Sequence, residues 1–241
     1  MNETSPDESA WNQPSCRRGF WALVVTQFQG AFNDNLLKMT VLLFLPSLLT
    51  RSDFPVTAVT TGLFYLPYLL FPALVGALAD RYSKQQIIVA AKYMEGLIMA
   101  LGLLAFLSGN AGFILAVLFL MATQSAFFSP AKYGILPEIL PESRLSWGNG
   151  SIQLWTFVSI ITGTAVASPL MALLGNDRIY LMSVVLAVLS AGGIVSAHFV
   201  TRPPAAAPGR AIPLSPWTEM GDYFRLFRQD RWLLLTMIGI A

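Results

Sequence analysis

A single cysteine, Cys16, excludes an internal disulfide, and a single histidine, His198, leaves no histidine-based metal constellation. Charge is also scarce. Asp, Glu, Lys and Arg make up 12% of the 241 residues, against about 25% in a soluble domain. With 55% hydrophobic residues and a mean hydropathy of +0.60, the chain cannot cover a water-facing surface. An all-α membrane protein is therefore the expected class. The net charge of +2 is too small to argue for nucleic acid as a partner. No G-x-x-x-x-G-K-S/T stretch occurs, which excludes a P-loop ATPase within these residues. His198, followed by "FVTRP", completes neither a nucleophile–His–Asp set nor an H-x-x-x-x-D acyltransferase arrangement. Catalysis, cofactors and metals are not expected.

What the chain has in abundance is long apolar runs. A spanning helix needs about 20 mostly apolar residues, and six segments qualify: 20–45, 56–79, 86–107, 112–128, 147–174 and 179–200. They read as helices, because strands of a membrane barrel are ~10 residues long and alternate, whereas a helix satisfies its own backbone groups in lipid. The fourth run meets Ser129-Pro130, where a break or kink is expected unless the helix continues past the proline. The first run is too long for a cleaved signal and follows a polar tail, so it reads as retained.

Charge orients the bundle. With the N-terminus inside, the inner segments hold Arg17, Arg18, Arg81, Lys84, Lys132, Arg144, Arg202, Arg210, Arg225, Arg228 and Arg231; the outer loops hold Arg51 and Arg178. This is the positive-inside bias. Residues 1–19 then form a cytoplasmic tail and 20–201 the six-helix bundle. Residues 202–231 form a linker, proline-rich at its start, in which "WTEMGDYFRLFRQDRW" has the look of a helix lying on the membrane face. "WLLLTMIGIA", residues 232–241, is too short to cross and reads as the start of a seventh helix.

Within this apolar frame a few polar residues stand out. "GAFNDNLLKM", residues 30–39, puts Asn33, Asp34, Asn35 and Lys38 in the middle of the first helix. A charged group at mid-bilayer costs about 2.5–3.5 kcal/mol on insertion scales and by default marks a substrate or ion pathway. Lys38 is four residues from Asp34 and shares its face, together with Gln27 and Gly30. The third helix carries Lys92 and Glu95; Lys92 is near enough to the helix start to snorkel to the interface, whereas Glu95 is deeper. The fourth helix carries Gln124 and Ser125, then Lys132 beside the proline. In the fifth, Gly163, Ala165, Ala167 and Ser168 are small enough for close backbone approach. The second, with Pro67 and Pro72, is expected to bend.

Two groups of motifs resemble known families. "GALADRYSKQQ" resembles the loop motif G-x-L-a-D-R-x-G-R-R/K between helices two and three of major facilitator superfamily transporters. Gly76, Leu78, Asp80, Arg81 and Lys84 match, while Ser83 replaces a glycine and Gln85 a base. More finely, "FWALVVTQFQGAFNDNLLKM", "LPYLLFPALVGALADRYSKQQII" and "FFSPAKYGILPEILP" together look like the lysophospholipid transporter family. That resemblance implies a twelve-helix inner-membrane protein of two six-helix halves. This chain would be the N-terminal half, and residues of the other half are not in it. The family occurs alone and also fused to acyltransferase and acyl-ligase domains, so an acyltransferase partner is implied as well.

The resemblance also assigns roles. The functional Asp of the F-N-D-N stretch corresponds to Asp34, and the lysine of P-A-K-Y-G to Lys132. On this reading Asp34 meets an ammonium and Lys132 or Lys38 a phosphate. Asn33, Asn35 and Gln124 bond head-group oxygens, with Glu95 as a further polar contact. Tyr65, Tyr68 and Phe71 form an acyl-tail route, and Gly76, Asp80, Arg81 and Lys84 form the inner latch. Two alternatives stay open: a proton-coupled exporter of small amphipathic drugs, and the transporter part of a fused acyltransferase.

Overall fold

The computed structural model describes residues 11, 13–49, 55–71, 75, 76, 78 and 81–205. Asp80, the linker beyond Ala205, its expected interfacial helix and the expected seventh helix lie outside these residues. The described chain is helical, with six long helices: α1 (Pro14–Leu48), α2 (Val56–Leu70), α3 (Lys84–Ser108), α4 (Ala111–Gly134), α5 (Leu145–Leu174) and α6 (Leu181–His198). One extra turn, Leu136–Ile139, joins α4 to α5. The punctuation is that of the sequence. Pro14 opens α1 where its missing N–H costs nothing. Gly109 ends α3 at φ +60°, a conformation few other residues accept. The Asn110 side chain then accepts a bond from the Phe113 N–H at 3.0 Å and caps α4.

Three boundaries differ from expectation. The first helix, expected over 20–45, runs from Pro14 to Leu48 and so takes in the end of the expected tail. The second helix, expected over 56–79, stops at Leu70, just before the Phe71-Pro72 peptide. A residue before proline is disfavoured in helical conformation; Val75, Gly76, Leu78 and Arg81 are helical again beyond it. The fourth helix, by contrast, is not broken at Pro130 but continues to Gly134. A proline removes one helical hydrogen bond, and neighbouring helices can satisfy the carbonyl it frees.

Among the described residues, four stretches are long and apolar enough to cross a membrane: α3, α4, Glu142–Leu174 and α6. α2 is apolar but shorter. α1 has 35 residues, about 52 Å at 1.5 Å per residue. That exceeds the ~30 Å hydrocarbon core, and the polar stretch at its centre dilutes its hydropathy. α1 is the hub of the bundle, packing against α2, α4, α5 and α6, while α3 packs against α4 and α6.

The core is built in three layers. One apolar cluster contains Leu36, Leu37, Val41, Ile98, Met99, Leu118, Met121, Met182 and Leu186. A second contains Phe20, Leu23, Val24, Ile88, Phe128, Ala131, Ile152 and Ala197. Between them, on each of four helices, lie the buried polar residues: Gln27 to Asn35 on α1, Lys92 and Glu95 on α3, Gln124 on α4 and Ser190 on α6. Large apolar side chains such as Leu69, Leu97, Leu173 and Val188 point outward instead. A water-soluble domain cannot fold with this polarity; a bundle in lipid must, since only its interior can satisfy polar groups.

Close helix approach fixes the layers. An added Cβ at Gly163 of α5 would lie 2.7 Å from the Phe32 carbonyl oxygen of α1. Ala167 is likewise buried, whereas Ala165 and Ser168 face outward. A Gly163→Ala variant is expected to lose about 1–3 kcal/mol through overpacking against backbone. Thermal unfolding in detergent reads this as a lowered midpoint, and an unchanged midpoint would show that α1 and α5 separate freely.

Candidate functional site

The polar layer opens into a cavity of about 390 Å³ walled by α1, α2, α3, α4 and α5. α1 contributes Gln27, Gly30, Asp34, Asn35 and Lys38, a stripe recurring every three to four residues. α2 contributes Phe64, Tyr65 and Tyr68; α4 contributes Gln124, Ser125, Phe128 and Lys132; α5 contributes Thr156 and Ile160. α3 closes one wall with Lys92 and Glu95.

Asp34 is the centre of the chemistry. The Ser125 hydroxyl donates to Asp34 Oδ2 at 2.7 Å. Asp34 Oδ1 is enclosed and accepts no hydrogen bond. A buried acceptor left open is costly unless something fills it. Asp34 forms no ion pair among the described residues, although Lys132 and Lys38 share its cavity along with the paired Lys92. Lys132 lies with Nζ 4.7 Å from the Tyr133 ring centre. Lys38 lies 4.6 Å from the Phe64 ring and 5.8 Å from that of Tyr65. Besides the paired Lys92 and Glu95, the cavity therefore presents one acid, Asp34, two cations that it does not engage, and an aromatic wall.

The neighbouring amides are more committed. Asn35 Nδ2 donates to the Ala31 carbonyl at 2.8 Å and Gln27 Nε2 to the Thr156 hydroxyl at 2.9 Å. Asn33 does not line the cavity. It turns to an adjacent face of α1, where its Nδ2 reaches Glu95 Oε1 at 2.8 Å, the Leu186 carbonyl at 3.1 Å and Ser190 Oγ at 3.0 Å. Positions 33 and 34 are successive on a helix and point about 100° apart, so one stretch serves two environments. Phe71 also lies off the cavity, packed against Phe127 with ring centres 5.7 Å apart.

Lys92 does not snorkel to the interface; it is 1% exposed. Its Nζ donates to Glu95 Oε2 at 2.6 Å and to Gln29 Oε1 at 2.8 Å. Glu95 is further held by Gln29 Nε2 at 2.7 Å and the Ser190 hydroxyl at 2.9 Å. Glu95 thus reaches the cavity wall with both oxygens already engaged, as a clamp between α1, α3 and α6. The absent side chain of Gly30 makes room for it, since a Cβ there would lie 2.6 Å from Lys92 Nζ.

Sequence reasoning missed Gln29, Ser190 and Thr156. Gln29 stands four residues before Asn33 and so on the same face, a readable signal; a serine or threonine in a membrane helix carries none. The loop-motif residues are elsewhere. Lys84 pairs with Glu138 in the turn Leu136–Ile139 that follows α4. Gly76 has open space at its Cβ position, and Arg81 lies in a separate surface groove.

Long apolar helices packed around a cavity that carries buried charged side chains define a multi-pass membrane protein of the transporter kind. The model of the Major Facilitator Superfamily matches residues 8–241, and the chain belongs to that superfamily. Similar curated proteins are lysophospholipid transporters named LplT. That of Klebsiella pneumoniae subsp. pneumoniae is 29% identical over 215 residues, covering 88% of this chain and 51% of the relative. The Cronobacter sakazakii protein is 29% identical over 216 residues, covering 89% and 51%. The Salmonella heidelberg protein is 29% identical over 209 residues, covering 84% and 48%. The chain spans about half the length of these relatives.

Proposed function

We propose that this chain forms one half of an alternating-access transporter that moves lysophospholipids across the bacterial inner membrane, with its N-terminus on the cytoplasmic side. A second six-helix half completes the cavity. The observation that carries this reading is the open oxygen of Asp34, buried in a cavity that also holds two cations and an aromatic wall. A lysophospholipid with an ethanolamine head has the complementary parts. Its ammonium donates to Asp34, its phosphate accepts from Lys132 or Lys38, and its single acyl chain lies along Tyr65 and Tyr68. Gln124 and Asn35 reach the glycerol and phosphate oxygens. The loop motif, with Gly76, Asp80, Arg81 and Lys84, acts at the inner latch. Acylation is the reaction that consumes a delivered lysophospholipid, so an acyltransferase, fused or separate, is the partner this reading calls for.

The test is translocation of lysophosphatidylethanolamine by the complete two-half transporter in proteoliposomes. Transport above protein-free vesicles supports the substrate class. Absence of transport, together with protonophore-sensitive movement of a cationic amphipathic dye, would replace it with a proton-coupled exporter, for which a membrane-embedded acid is equally suited.

A further inference from the structure

One end of the bundle holds a basic groove that the central cavity does not use. Arg81, Tyr82, Ser83 and Gln86 line it from the loop and first turn of α3, and Arg202 to Ala205 line it from the segment after α6. The two walls are tied together, since the Ser83 hydroxyl donates to the Pro203 carbonyl at 2.7 Å. Arg202, Tyr82 and Gln86 are exposed and Arg81 is half-buried. Neither arginine forms an ion pair among the described residues, whereas the neighbouring Lys84 is neutralised by Glu138. Arg81 lies 5.6 Å from the Tyr82 ring, which restrains its guanidinium without engaging its donors in a carboxylate.

The surroundings say what meets these donors. The antiparallel run of the helices brings the start of α1 to the same end, with exposed Arg17 and Arg18. Arg18 lies 4.3 Å from the Phe199 ring, and both Phe199 and Tyr82 are about half exposed. Exposed aromatics beside cations at the end of membrane helices mark the head-group level. A guanidinium pair at that level matches a phosphate bidentately, and basic pockets between membrane helices take anionic head groups.

We propose that the groove of Arg81 and Arg202 binds the phosphate of an anionic phospholipid from the surrounding leaflet, bridging the α2–α3 loop to the segment following α6. The site is independent of the transported substrate. The shared chemistry is a phosphate anion, and free phosphate is the other source of it.

Native mass spectrometry of the full chain in detergent tests this, with phosphatidylglycerol and phosphatidylcholine of the same acyl chains. The wild type is expected to retain phosphatidylglycerol preferentially. The double variant Arg81→Gln, Arg202→Gln is expected to lose about tenfold or more in that affinity. The exposed Arg178→Gln, at the opposite end, controls for net charge and is expected to change nothing. A lipid-dependent rise in unfolding temperature should vanish in the double variant, while its lipid-free midpoint stays at the wild-type value. Equal retention of both lipids, or equal loss in Arg178→Gln, would overturn the site. Displacement of the lipid by inorganic phosphate alone would overturn the lipid as its occupant.

Discussion

On the proposed function, Asp34→Ala is expected to abolish lysophospholipid translocation while the protein still inserts and survives purification. The physical basis is an asymmetry in how the carboxylate is held. One oxygen takes the Ser125 hydroxyl, and the other is buried with no donor. Removing the side chain breaks one charge-assisted hydrogen bond within the protein, about 1.5–3 kcal/mol, but also removes the cost of a carboxylate at membrane depth, about 2.5–3.5 kcal/mol, so the fold tolerates the change. For a cationic head group nothing offsets the loss. A hydrogen bond to a charged partner contributes about 1.5–3 kcal/mol, a factor of roughly ten to more than a hundred. Asp34→Asn separates charge from shape. It keeps a hydrogen-bond acceptor for Ser125 but removes the negative charge, so it should fail nearly as badly as alanine for an ethanolamine head. Initial rates in proteoliposomes, normalised to inserted protein, give the answer. Full transport by both variants would retire Asp34 and leave the polar stretch of α1 without a function.

The second large effect is on stability. Glu95→Ala removes the partner of a fully enclosed lysine and strands Lys92, Gln29, Asn33 and Ser190 around an empty centre. Breaking a buried pair from one side typically costs about 3–5 kcal/mol. A lowered unfolding midpoint in detergent and a sharp drop in membrane yield are expected. The double variant Lys92→Met, Glu95→Gln removes both charges together and should recover most of the loss, because the destabilising term is the orphaned ammonium rather than the missing bond. If Glu95→Ala melts with the wild type, the network is not a clamp, and Glu95 returns to the candidates for direct substrate contact. The two predictions are distinguishable in one experiment: Asp34→Ala loses transport and keeps its midpoint, whereas Glu95→Ala loses the midpoint first.

Adjacent residues with opposite duties explain how much of the site was legible. The sequence marks 33, 34 and 35 alike, as polar groups in lipid. It cannot say which neighbour each one meets, since that depends on the angle of α1 against the helices packed around it. The structure turns Asp34 to the cavity and Asn33 to Glu95. The same holds for Lys92. Its distance from the helix start permits snorkelling, but α6 covers that side, and an added Cβ at Gly193 would run into the Gln29 side chain that shares the network. Lys38 is a converse case. Helical spacing sets it on the same face as Asp34, within reach of an internal pair. Yet the rings of Phe64 and Tyr65, brought in by α2, draw its ammonium away.

The sequence by itself determined that this is a helical membrane protein. The scarcity of charge and the length of the apolar runs allow nothing else, because backbone groups in lipid must be satisfied within each segment. It also determined which residues are out of place in lipid, and hence where function concentrates. Only the tertiary structure decided which of those residues share a cavity and which lock helices together. Insertion cost depends on residue type and depth, both of which lie along the chain. Hydrogen-bond partnership depends on crossing angles and helix rotation, and these are fixed only when close contacts such as Gly163 against Phe32 bring the helices together.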